Sequence, residues 1–117
     1  MNDRKLLELA ARAAGHESKW DQPRGSTHGA LRIRSGDRWS VWNPLADDGD
    51  ALRLAVKLHL DIQHMRTVGG NHIGKYVYPT GRGDLGVEEP NGIDEAAATR
   101  RAITRAAAEI GKNMDAA

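Results

Sequence analysis

The chain has 117 residues, with 17 Lys and Arg against 16 Asp and Glu and a net charge of +1. So even a balance argues against a dedicated nucleic-acid binder, and the absence of cysteine excludes a disulfide scaffold, a thiolate metal site and a cysteine nucleophile. No apolar run approaches a membrane span and the opening residues lack a signal-peptide core, so a cytoplasmic single domain over residues 1–117 is expected.

Residues 3–14 read as a first helix, capped by Asn2 or Asp3, with Leu6, Leu9, Ala10 and Ala13 on one face and Gly15 as its left-handed stop. His16 to Gly29 is polar, contains Pro23 and Gly25, and is expected to be a loop whose Trp20 folds back onto the core. Residues 30–34 and 38–42 alternate around a Ser35-Gly36-Asp37 turn, which predicts a hairpin with Leu31, Ile33, Trp39 and Val41 facing inward.

Asp47-Asp48-Gly49-Asp50 then opens a second helix, residues 51–58, whose apolar surface is interrupted only by Arg53 and Lys57. The acids suit helix capping and the dipole, and they lack the alternating ligands and terminal Glu of a calcium loop. This helix is expected to be largely buried. Leu60, Ile62 and His64 mark a third strand and residues 73–78 a fourth, joined by a turn at Gly69-Gly70-Asn71. Pro79 to Gly92 reads as a loop, and Asp94 caps a last helix from Glu95 to Ile110, stopped by Gly111. Its apolar face carries Ala96, Ile103, Ala107, Ile110 and, unexpectedly, Arg100; Arg105 and Glu109 are spaced to pair on the other side.

The fold class that follows is α+β: a layered sandwich of order α-β-β-α-β-β-α, with a mainly antiparallel four-stranded sheet covered by helices. The core is lean, with 17 alanines against 21 Leu, Ile and Val together and no Phe. Close helix packing and further burial in a homo-oligomer are therefore expected.

Few motifs carry chemistry. Gly69 to Lys75 has the G-x-x-x-x-G-K spacing of a phosphate loop, but Tyr76 stands where Ser or Thr should hold magnesium and the context is a strand, so a hairpin turn is expected. Arg82-Gly83-Asp84 is a coincidental tripeptide. The five histidines show no paired ligand spacing, and no nucleophile elbow occurs, so no metal, cofactor or catalytic residue is assigned. Charge is more informative. Ile62 to Gly83 contains no acid but holds His64, Arg66, His72, Lys75, Tyr76, Tyr78 and Arg82, while the first hairpin offers Arg32, Arg34, Arg38, Trp39 and Trp42. Guanidinium groups beside aromatic faces suit a phosphate with its base, and equally suit an ordinary solvated sheet face. The ligand candidates are Arg32, Arg34, Trp39, Lys75, Tyr76 and Arg100, although an acid from the Asp47–Asp50 cluster is an alternative partner for Arg100.

Trp42-Asn43-Pro44-Leu45-Ala46-Asp47-Asp48-Gly49-Asp50-Ala51-Leu52-Arg53-Leu54-Ala55-Val56-Lys57-Leu58 and residues 97–111, with Leu6 to Ala11, resemble a group of small bacteriophage proteins. The pattern is similar to the phage α/β/α-sandwich domain and, more loosely, to NinX-like phage proteins. The resemblance implies a phage or prophage origin and a sheet layered with helices; it implies no catalytic residues. The expected function is that of a phage accessory protein, host-takeover or anti-defence, that sequesters a small anionic nucleotide-type ligand without turnover. An interaction protein that blocks a host defence complex is the alternative, and a small hydrolase of a nucleotide signal the third reading.

Overall fold

The computed structural model describes residues 1–114. Three helices accompany two separate three-stranded antiparallel sheets. The first helix, α1 (Asp3–Ala13), is capped by Asn2, whose side chain accepts the Lys5 N–H at 2.8 Å, and Gly15 follows it at φ +78°. The first sheet is β1 (Ser18–Asp21), β2 (Ala30–Ser35) and β3 (Arg38–Val41), in that order. Helix α2 (Asp48–Lys57) leads to the second sheet, β4 (Leu60–Arg66), β5 (His72–Pro79) and β6 (Val87–Pro90), again in chain order. Helix α3 (Glu95–Met114) closes the structure.

The expected mixed architecture is present, but the single four-stranded sheet is not. Two short strands fall in segments expected to be loops. β1 is polar except for Trp20, and β6 reads Val-Glu-Glu-Pro; neither carries a strand signal of its own. Each exists because it lies antiparallel beside a stronger strand, Ser18–Asp21 against Ala30–Ile33 and Val87–Pro90 against Gly74–Val77. Pairing and packing outweigh intrinsic preference in such edge strands. With a third strand on each hairpin, two sheets are completed instead of one.

The first hairpin also turns more tightly than expected. Ser35 lies opposite Arg38 and Arg34 opposite Trp39, so the turn has two residues, not three. A one-residue change of register exchanges the two faces of a strand. Leu31 and Ile33 do point toward the core, but Ser40 and Trp42 join them there, while Trp39 and Val41 share the outer face with Arg34 and Arg32. Trp42 is 4% exposed and Val41 53%. Trp20, as expected, packs against the core.

Helix α3 is the spine of the molecule: it packs on α1, on α2 and on all three strands of the second sheet. Ala102, Ala106, Ala107 and Ala108 are buried along it, with Ile103 and Thr104. Small side chains let backbones approach closely, which is how an alanine-rich sequence makes a dense core. Gly111 belongs to this packing. The helix runs through it to Met114, and a Cβ at Gly111 would stand 2.0 Å from the Leu9 carbonyl oxygen. Its glycine serves contact between α1 and α3 rather than helix termination. Ala96, one turn earlier than the core contacts, is exposed.

Helix α2 is capped by Asp47, whose carboxylate accepts the Asp50 N–H at 2.8 Å, and Asp94 caps α3 through the Ala97 N–H at 3.0 Å. Burial of α2 is narrower than expected. Ala51, Leu54 and Ala55 are covered, but Leu52 and Val56 are 63% and 65% exposed because the outer side of the helix faces solvent among the described residues. Among the described residues no helix is long and apolar enough to cross a membrane.

Candidate functional site

A cleft of about 350 Å³ opens between the first sheet and α2. Gly15 turns the chain sharply as α1 ends, and this carries His16 over the rim, where its ring meets Trp42 edge-on at 5.6 Å. Ala14, Ile33, Trp42 and Leu54 supply apolar wall, and Ser40 and Val41 line the strand side. Asp50, Arg53 and Lys57 enter from α2, one side of which they share by their spacing of three and four residues.

The polar groups differ in how far they are committed. Asp50 accepts the Asn43 N–H at 2.9 Å and Arg53 Nη2 at 2.8 Å, so it fixes both the entry to α2 and the guanidinium. Arg53 is 72% exposed at its side chain and also lies 3.8 Å from Asp47. Its remaining donors face solvent. Lys57 makes no hydrogen bond or ion pair among the described residues. Burial and then the Lys57 ammonium hold the His16 pKa below its ordinary 6.5, with Asp50 opposing more weakly. The cleft therefore combines an apolar, aromatic floor with the Asp50–Arg53 ion pair, the Lys57 ammonium and an imidazole at the mouth. Such a surface has the chemistry to suit an anion attached to a flat or apolar group.

No family model, curated protein or solved structure matches the chain.

The six residues nominated from the sequence do not form one cluster. Arg32, Arg34 and Trp39 lie together on the outer face of the first sheet. Arg32 Nε donates to Asp21 at 2.8 Å; Arg34 donates to the Gly36 carbonyl at 2.7 Å and reaches Glu17 at 3.4 Å. The Lys19 ammonium sits 4.3 Å from the centre of the Trp39 ring. Lys75 and Tyr76 belong to the other sheet and point to opposite faces of it. Lys75 is 1% exposed, donating to Glu95 Oε1 at 2.6 Å and Asn91 Oδ1 at 2.9 Å, and the Tyr76 hydroxyl donates to the Gly83 carbonyl. Arg100 donates to Asp48 at 2.7 Å and to the Leu45 carbonyl at 2.9 Å, which is the internal pairing open to it from the sequence.

Lys75 and Arg82, in the acid-free stretch from Ile62 to Gly83, find their acids outside it in Glu95 and Asp84. Glu95 meets Lys75, and Glu89, opposite Lys75 on β6, is held by Arg105 at 2.6 Å and by Arg101 at 3.7 Å. Arg105 also donates to the Glu88 carbonyl, so it turns inward rather than pairing with Glu109. Gly69 to Lys75 is a turn running into β5, with no helix start behind it. Arg82 and Asp84 bond each other at 3.1 Å, which draws the Asp84 carboxyl below its ordinary pKa.

Arg53 and Lys57 were visible in the sequence as a wet stripe, and the fold makes them one wall of a cleft. His16 carries no such signal. It sits in a polar segment, and only the left-handed turn at Gly15 aims it at Trp42.

Proposed function

We propose that this chain is a non-catalytic accessory protein of phage or prophage origin that binds and sequesters a small anionic, nucleotide-type ligand, and that the cleft between the first sheet and α2 holds it. The observation that carries the reading is Lys57, an exposed cation whose side chain has no hydrogen bond or ion pair among the described residues, standing at the rim of a cleft floored by Trp42. Arg53 and Lys57 engage phosphate oxygens, and the His16–Trp42 edge receives the base or sugar. The phage origin rests on the resemblance of residues 42–58 and 97–111.

A thermal-shift screen against cyclic dinucleotides, cyclic oligonucleotides, ADP-ribose derivatives and mononucleotides tests this directly. A ligand that binds only the folded state stabilises it by RT ln(1 + [L]/Kd), so tight sequestration raises the melting temperature plainly. Lys57→Ala and Arg53→Ala are each expected to weaken the responding ligand by roughly tenfold or more, the worth of one hydrogen bond to a charged group. A flat screen, or an affinity unmoved by Lys57→Ala, overturns the assignment. Arg34→Ala discriminates between sites: a loss there moves the ligand to the outer face of the first sheet, beside Arg32 and Trp39.

A second reading, an inhibitor that blocks a host defence complex by binding it, is favoured by Leu52 and Val56. They stand one turn apart on the solvent side of α2, 63% and 65% exposed. One host protein co-purifying in stoichiometric amount with the wild type, and lost with Val56→Glu, would support it over the ligand reading.

A further inference from the structure

β4 and β5 pair without interruption from Leu60 opposite Pro79 to Met65 opposite Gly74, and then Arg66 lies opposite His72 rather than Ile73. Ile73 is the extra residue of a β-bulge. With regular alternation His72, three residues before Lys75, would project from the other face of β5; the bulge returns it to the face that carries His64 and Lys75. The imidazoles of His64 and His72 consequently lie 5.9 Å apart between centroids, tilted by 33°. Glu95, the first residue of α3, arrives at the same place, and one ligand atom from each of the three side chains lies within 4.8 Å of the others.

We propose that His64, His72 and Glu95 form a binding site for a divalent first-row transition ion, with Zn²⁺ the best match to the donor set. Two imidazoles and one carboxylate are the ligand types that three-residue zinc sites use, with a fourth position left to water. Tetrahedral coordination needs donors about 3.3 Å apart, given metal–ligand bonds near 2.0–2.1 Å. All three side chains are exposed, and rotation of the two imidazoles toward the carboxylate can close that distance without moving the backbone. The carboxylate is already oriented: Glu95 Oε1 accepts from buried Lys75, which Asn91 holds in turn. A fixed partner behind a ligating carboxylate is the usual support of such sites.

This site stands on the second sheet and is independent of the anion cleft. Untagged protein titrated with Zn²⁺ against a chromogenic chelator should show equimolar, saturable binding at micromolar metal, and Co²⁺ should give the visible absorption of a low-coordinate site. His64→Ala and His72→Ala should each weaken binding about tenfold or more, whereas His28→Ala should not. The two variants change exposed side chains, and unaltered circular dichroism confirms that they fold. No saturable binding by the wild type, or an affinity unchanged in either His64→Ala or His72→Ala, overturns the three-ligand site.

Discussion

Replacing Gly111 by alanine tests how α1 and α3 are held together. In an exposed helix interior the change is favourable by up to about 1 kcal/mol, because glycine has the greater freedom to lose. Here the new Cβ would stand 2.0 Å from the Leu9 carbonyl oxygen and 2.9 Å from its carbon, where ordinary contact begins at 3.4 Å. Both obstructing atoms are backbone, so no rotamer relieves the clash. The helices must part by about 1.4 Å at that point, across an interface where Leu6, Leu9 and Ala108 are buried. Overpacking of this kind costs about 3 kcal/mol at the upper end of its usual range. Less the propensity gain, Gly111→Ala should lose about 2 kcal/mol, or roughly 8 °C in melting temperature for a domain of this size. Urea and thermal unfolding followed by circular dichroism measure both. Gly83→Ala is the control, since a Cβ there would meet nothing within 4 Å, and it should stay within about 1 kcal/mol of wild type. A Gly111→Ala protein as stable as the parent would mean that the two helices do not approach as described.

Three further outcomes follow from particular contacts. The ammonium of Lys75 is buried but its partner Glu95 is half exposed, so Lys75→Met leaves no charge stranded and should cost less than about 1.5 kcal/mol, while Lys75→Ala, which also empties its packing space, should cost about 2–3 kcal/mol in denaturant unfolding. His16 has a folded pKa below its ordinary 6.5, so the folded state resists protonation; stability is undiminished above that value, falls as pH drops through it, and levels off below the folded pKa. His16→Gln should flatten this dependence, and Lys57→Ala should raise the His16 pKa in an NMR titration, because a repelling charge is removed. Leu52→Glu should leave stability within about 0.5 kcal/mol of the parent, since the side chain meets solvent.

Helix beginnings were legible because capping is local chemistry: Asn2, Asp47 and Asp94 each do what a short polar side chain before an apolar run implies. The partner of Arg100 was legible for a different reason, since a guanidinium on an apolar face must find an acid and the Asp47–Asp50 cluster was at hand. What escaped depended on tertiary context. β1 and β6 are strands by virtue of their neighbours, and one residue in the length of a turn decided which way Trp39 and Trp42 face. Gly111 looked like a stop because the helix pattern weakens there, when the glycine was answering to Leu9 on another helix. The site was partly legible. Arg53 and Lys57 are paired by helical spacing alone, but His16 joins them only through the fold, and His64 and His72 meet only because β5 bulges at Ile73.

The order in which these pieces can form is set by where α3 lies along the chain. Both sheets are meanders of neighbouring strands, whose short loops close early and at little entropic cost. The face of α1 that carries Leu6 and Leu9, and the inner face of β5 at Val77, find much of their cover in residues 95–114. A nascent chain that has not yet exposed those residues outside the ribosome holds α1 and the second sheet without the helix that packs on both, and offers apolar surface to chaperones until α3 docks.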